Sequence, residues 1–366
     1  MRRVYFVLPT LLFCLCGLGA FAQQPTPNTD FLGLLQIGSR LKDRPTFSLA
    51  IDQNATLKAR QQALNDPEVQ TALRELRDWL AKPLQLPPSL TITALAQDFP
   101  AVSASRQLAR ALMIQQYVQL ANGKVHEAID TTRDTLRLAY AVQNHSMTGF
   151  LVGVAVERIA VSNLSSHLDQ LSIFDCNALM KLGQDWASTN KIFEFALLRE
   201  SAIGLESLKQ ALGQQKEALK EAEDALKAMY AQIIQMNSQA YWDRVPLLFE
   251  AKGEALKIGE TLVTSLRPAA LRLLDASTRR IALARMLSCH AAIRRHRWEN
   301  RELPATLAAL DLKEMSLDPF TGQEFHYKVK GSTFTLESAG AFDRDDTGNL
   351  DRSSRSPFSL SGTSNP

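Results

Sequence analysis

Apolar residues recur every seven positions between residues 192 and 236, and this is the most regular pattern in the chain. A second apolar row follows three residues behind the first, so the two rows occupy the a and d positions of five heptads. The pattern predicts a helix over about 192–236 whose apolar seam must be covered by another helix. The first row is Leu205, Leu212, Leu219, Leu226 and Ile233, and the second is Leu208, Gln215, Ala222, Met229 and Met236.

Two ways of covering this seam are open. Residues 247–267 are helical in pattern and would return as the second arm of an antiparallel hairpin. The alternative is a coiled coil between two copies of the chain. The protein is therefore predicted to be a monomer or a coiled-coil dimer.

The rest of the chain is predicted to be mainly α-helical. Only 17 glycines and 15 prolines interrupt its 366 residues, which favours long helices over a β fold with many turns. We expect an irregular lead-in over residues 23–54 and a helical domain over residues 55–268. Asp66 followed by Pro67 is typical of a helix N-terminus, and Asn122-Gly123 is typical of a break between two helices.

The first 22 residues have the pattern of a secretory signal peptide. Arg2 and Arg3 precede an apolar run that ends in Ala20-Phe21-Ala22, a small-x-small cleavage site. Cleavage would place the protein in the periplasm or outside the cell, with no stable membrane span. An uncleaved signal would instead anchor it in the inner membrane. Cleavage also removes two arginines and no acidic residue, which lowers the formal net charge from +3 to +1 and gives no indication of nucleic-acid binding.

Two cysteines, Cys176 and Cys289, remain after cleavage. In an oxidising compartment they could form a disulfide. Equally, they could be two small buried apolar residues.

A small β-hairpin is predicted near the C-terminus. Two strand-like runs, residues 324–329 and 333–338, flank the turn Lys330-Gly331-Ser332. The serine-rich residues 352–366 are expected to be disordered.

The order of motifs in this region resembles the globular end of type II secretion major pseudopilins. A helix ending in residues 291–297 is followed by "LPATLAAL", "LDPFTGQEFHYKV" and "LESAGAFDRDD". The same tail occurs on extracytoplasmic, mostly helical bacterial proteins of unknown function, which this chain resembles over a greater length. The resemblance implies that residues 269–351 form a long helix and a small α+β segment. In pseudopilins, however, the assembly helix follows a prepilin signal directly, whereas here the matching helix lies far downstream, so pilus assembly by the usual packing is not expected.

The last loop of that family often holds calcium, and the corresponding loop here is acidic. Asp343, Asp345 and Thr347 occupy positions 1, 3 and 5 of a calcium loop, and Asp351 occupies position 9. Position 12 is Ser354, so the bidentate glutamate of an EF-hand is missing. These four residues are the candidate ligands of a weak Ca²⁺ site. The alternative is a solvated acidic loop that binds no metal.

No catalytic motif is present. His126-Glu127 lacks the second histidine of a zinc protease motif, and the mature chain has no phosphate-binding glycine fingerprint. The sequence therefore predicts a non-enzymatic structural or interaction protein of the bacterial cell envelope, with a protein partner, no catalytic residues and no cofactor other than calcium. Two alternatives stay open: an accessory component of a type II secretion or pilus-like assembly, and an enzyme with a discontinuous site.

Overall fold

The computed structural model describes residues 29–52, 54–82, 92–144, 146–189, 191–244, 256–344 and 350–363. The predicted signal peptide lies outside these residues. The described chain is mostly helical, with a small antiparallel sheet near the C-terminus, as the sequence predicts. Its helices are α1 (Thr29–Ser39), α2 (Pro45–Ala50), α3 (Leu57–Leu64), α4 (Pro67–Leu80), α5 (Ile92–Ala121), α6 (Val125–Gln143), α7 (Met147–Ser165), α8 (Ile173–Ala187), α9 (Ile192–Leu212), α10 (Lys216–Ser238) and α11 (Leu256–Asn300).

Short local signals set several of the helix boundaries. The carboxylate of Asp66 accepts a hydrogen bond from the Glu68 backbone at 2.9 Å and caps α4, whose first residue is Pro67. Helix α5 ends at Ala121, and Gly123 takes a positive φ of 70° before α6 begins. Both predictions from these residue pairs are confirmed.

The predicted irregular lead-in is wrong where the structure describes it. Residues 29–39 and 45–50 form α1 and α2. Leu34, Leu41 and Phe47 are fully or almost fully buried, in a core shared with α4 to α7. The prolines that suggested a loop precede these helices or begin them, since Pro45 occupies the first turn of α2.

The heptad segment is two helices and not one. It turns at residues 213–215, and α9 and α10 pack against each other as the arms of a hairpin. The turn falls at Gly213, a poor helix former, and at Gln215, the one polar member of the d row. The seam itself is covered within the chain: Leu226 and Ile233 are fully buried, and Leu219, near the turn, is half-buried.

The predicted end of the return helix at residue 267 is wrong, and its predicted start at residue 247 lies outside the described residues. Residues 245–255 lie outside the described residues, and α11 runs without a break from Leu256 to Asn300. It passes through Pro268, so the predicted boundary between residues 268 and 269 falls inside a helix. Helix α10 packs on α11 as well as on α9.

Helix α8 runs antiparallel to the C-terminal half of α11. Gly183 marks their closest approach, because a Cβ atom there would lie 2.7 Å from the carbonyl oxygen of Ala284. Near one end of this pair, Arg280 reaches the carbonyl oxygens of Trp186 and Thr189. Near the other end, Trp298 donates to the carbonyl oxygen of Leu171.

Helix α7 is apolar and long enough to cross a membrane by length and composition. Half of that stretch is buried against other helices, and a core helix of a soluble protein passes the same test. It is the one such helix among the described residues.

The sheet has three antiparallel strands in the order β1-β2-β3, formed by His326–Lys330, Thr333–Arg344 and Leu350–Thr363. The hairpin of β1 and β2 is confirmed, with Gly331 at a positive φ in its turn. Phe334, Leu336 and Ser338 alternate inward and pack the sheet over α11.

The predicted disordered tail is wrong for residues 352–363. They form most of β3, which pairs with β2 from Thr333↔Thr363 to Arg344↔Leu350. Leu360 and Gly362 face inward between exposed serines, an alternation of period two. The serine-rich composition suggested disorder, but the backbone hydrogen bonds that pair β3 with β2 do not depend on side-chain composition.

Candidate functional site

The acidic loop joins β2 to β3. Asp343 and Asp351 are opposite each other in the strand register, while Asp345 and Thr347 lie outside the described residues. The Asp343 carboxylate accepts hydrogen bonds from the hydroxyls of Ser354 and Ser356. No cluster of three or more His, Cys, Asp or Glu side chains suited to a metal is found in the part of the chain that the structure describes. Calcium binding by Asp343, Asp345, Thr347 and Asp351 stays a prediction.

If this loop binds calcium with a dissociation constant of about 1 mM, about 5 mM Ca²⁺ should stabilise the protein by about 1 kcal/mol. Asp345→Ala with Asp346→Ala should abolish that gain. Chemical unfolding with Ca²⁺, with Mg²⁺ and with chelator measures it. An equal gain in the double variant would place the metal elsewhere, and no gain in the wild type would remove calcium from the account.

Two of the C-terminal sequence motifs, "LDPFTGQEFHYKV" and "LESAGAFDRDD", meet at Asp318. Its buried carboxylate accepts hydrogen bonds from the Phe320 backbone at 3.0 Å, from the Ala339 backbone at 2.8 Å and from the Ser338 hydroxyl at 3.1 Å. Gly340 follows with φ +72°, where a Cβ atom would lie 2.0 Å from the Ser356 carbonyl oxygen. One carboxylate thus ties the "DPFTG" turn to strand β2 beside its bulge.

Asp318→Asn should destabilise the protein by about 2 kcal/mol, because the amide NH₂ group cannot accept hydrogen bonds as both carboxylate oxygens do. Urea unfolding measures the loss. Asp311→Asn is the matched control: Asp311 is exposed, and its positive φ suits asparagine equally well. Equal stability of the two variants would show that Asp318 does not secure the sheet.

A buried ion pair joins α7 to α11. Arg280 Nε lies 2.6 Å from Glu157 Oε1, and both side chains are 3% exposed. The Trp186 indole also donates to Glu157 Oε1 at 2.8 Å, and the Arg280 guanidinium donates to Thr189. The pair connects α7, α8 and α11, and its role is to hold these three helices together.

Four arginines near Trp298 do not form one surface: Arg294, Arg295, Arg297 and Arg301. Arg294 is almost fully buried and donates to the Asp169 carbonyl oxygen at 2.6 Å. Arg295 lies at the surface, 3.6 Å from Glu299. Arg301 ends the helical region with a positive φ of 62°. Arg294 is therefore structural, and the remaining positive charge is partly balanced.

Both cysteines are free and buried, so the disulfide alternative is not realised. Burial raises the pKa of each thiol to about 12, which keeps both protonated at neutral pH. Cys289 lies 3.1 Å from the Met315 carbonyl oxygen. These residues are packing residues.

His290 is fully buried between α11 and the sheet. Its ring lies 4.8 Å from that of Phe334, and a Cβ atom on Gly362 would come within 2.5 Å of its Nε2. Desolvation lowers the pKa of His290 to about 4, against opposing effects of Asp169 and the Ser361 backbone.

An open groove of about 430 Å³ lies between the first turns of α6 and α8. His126 Nδ1 lies 3.1 Å from Asp175 Oδ1, and the Ser172 hydroxyl donates to Asp175 Oδ2 at 2.6 Å. The Asp175 carboxylate lies between the His126 imidazole and the Ser172 hydroxyl. It therefore orients both groups, but the imidazole is not placed to take a proton from the hydroxyl. The residues that line the groove are Gly123, Lys124, Val125, His126, Glu127, Gln170, Ser172, Phe174 and Asp175.

Sequence reasoning missed this groove and the Asp318 network. His126 and Asp175 are 49 residues apart, and only the packing of α6 on α8 brings them together. The sequence did carry a signal for the Ser172–Asp175 contact, because these two residues form a capping box at the start of α8.

No protein family, curated protein or solved structure matches this chain. The fold and the geometry described above are therefore the basis of the functional proposals that follow.

Proposed function

We propose that this chain is a non-enzymatic structural or interaction protein of the bacterial cell envelope, in the periplasm or outside the cell. The observation that carries the proposal is the Asp318 network, which joins the residues of the pseudopilin-like motifs into one folded cap on α11. The signal-like pattern of residues 1–22 supports export.

The distribution of polar groups supports a structural role. The Glu157–Arg280 pair and the Asp318 carboxylate are both buried, and both hold separate elements together. The partner then binds on the helical surface, where large apolar side chains such as Leu151, Phe195 and Leu198 are about half exposed.

Site-specific photo-crosslinking in cells tests this proposal. A crosslinking amino acid at Leu151 or Leu198 should capture discrete envelope proteins, whereas the same group at exposed Lys220 on α10 should not. Products with cytoplasmic proteins only, or the same weak background at all three positions, would contradict the proposal.

An accessory role in a type II secretion or pilus-like assembly is the second candidate. It is favoured by the same Asp318 network, because that network unites the motifs that resemble a pseudopilin tail. Co-purification with secretion components from detergent-treated envelopes would support it. Capture of envelope proteins outside any such assembly would favour the general interaction role.

A further inference from the structure

The charged side chains of the groove between α6 and α8 have polar partners within the groove. Lys124 Nζ lies 3.0 Å from Glu127 Oε1, and the His126 imidazole lies against the Asp175 carboxylate. Asp175 is held further by the Ser172 backbone N–H at 3.0 Å. Each charged side chain that lines the groove thus has an ionic or hydrogen-bond partner nearby. The groove is suited to a neutral ligand more than to an anion or a metal ion.

Neutral hydrogen-bonding groups remain available in the same groove. His126 is 65% exposed at its side chain, and its Nδ1 faces the carboxylate, which leaves Nε2 to form a hydrogen bond with a ligand hydroxyl. The Gln170 side chain, which also lines the groove, offers both donors and an acceptor.

Exposed aromatic surface borders these polar groups. Phe174 lines the groove and is 78% exposed, the most exposed large apolar side chain among the described residues. Trp298 is 43% exposed, and its indole donates to the carbonyl oxygen of Leu171, between groove residues Gln170 and Ser172. The exposed Phe174 ring beside the planar side chains of His126 and Gln170 matches a sugar ring, which has apolar C–H faces and hydroxyls around its edge.

We propose that this groove binds a neutral glycan chain, with the sugar face on Phe174 and the hydroxyls on His126 and Gln170. The groove is open, and its volume falls in the range of small-ligand sites, so it would hold a short stretch of a longer chain. The inference rests on the proposed function for its setting, because an exported protein meets the polysaccharides of the envelope. It adds a glycan partner to the protein partner proposed above.

Titration calorimetry of the full chain with chitotetraose and with cellotetraose tests the inference. We expect saturable binding of at least one oligosaccharide. Phe174→Ala should weaken it by roughly tenfold or more, and His126→Gln by a smaller factor. Tyr140→Ala is the matched control, since Tyr140 is 41% exposed on α6 and does not line the groove.

No saturable heat with either sugar up to about 10 mM would overturn the inference, as would equal affinity of Phe174→Ala and the wild type. Binding of polyglutamate in place of the sugars would show an acidic peptide site and overturn it too. Circular dichroism melting confirms that each variant is folded. The proposed function fails separately: a chain that binds glycan but stays in the cytoplasm would contradict export and leave the groove assignment intact.

Discussion

Arg280→Met is expected to destabilise the protein by about 3–5 kcal/mol, because it leaves the Glu157 carboxylate buried without its cation. Both side chains are 3% exposed, and Glu157 Oε2 has no hydrogen-bond partner among the described residues. The Trp186 indole alone would then donate to that carboxylate. The free energy of unfolding in urea measures the loss.

The double variant Glu157→Gln with Arg280→Met separates this explanation from simple loss of packing. Glutamine keeps an acceptor for Trp186 and carries no charge, so the double variant should recover more than half of the lost stability. Arg295→Met is the control, since Arg295 lies at the surface and its exposed pair with Glu299 contributes about 0–1 kcal/mol. Losses that simply add in the double variant would show that the charges are not coupled.

Acidification should weaken the protein through His290. The pKa of His290 is about 4 in the folded chain, below the ordinary value of 6.5 that applies once the chain unfolds. The unfolded state therefore binds a proton below pH 6.5 that the folded state takes up only near pH 4. The stability held by neutral His290 is complete above pH 6.5 and is lost as pH falls toward 4. Between pH 7.5 and 4.5 the loss is about 2–3 kcal/mol.

His290→Leu should remove that part of the pH dependence, because leucine keeps an apolar contact with Phe334 and does not titrate. Arg294 and Asp169 are the charged groups that influence His290, and both remain in the variant. His326→Gln is the control, since His326 is exposed on β1 and the variant should keep the slope of the wild type. Parallel curves for His290→Leu and the wild type between pH 7.5 and 4.5 would refute the assignment.

Local sequence signals predicted much of the fold. Asp66-Pro67, Asn122-Gly123 and the turn at Gly331 each set a boundary within a few residues, where the structure places it. These signals work because capping and positive φ are decided by neighbouring residues. The predicted hairpin near the C-terminus was correct for the same reason.

Long-range packing explains the errors. The heptad pattern continues across the turn at Gly213 and Gln215, because α9 and α10 both bury their apolar rows in one core. The pattern alone therefore predicted a single long helix. Strand β3 is held by pairing with β2, and this pairing cannot be predicted from amino-acid composition. Likewise, the groove needs α6 and α8 side by side, and His126 and Asp175 carry no shared local motif.

Cell fractionation tests whether the protein is exported to the envelope. The untagged full-length chain would be expressed in a bacterial host that has a periplasm, and its intact mass would be measured in each fraction. We expect a chain that begins at Gln23 in the periplasm or the medium, or the full-length chain in the inner membrane if the signal is retained. Full-length protein confined to the cytoplasm would contradict export.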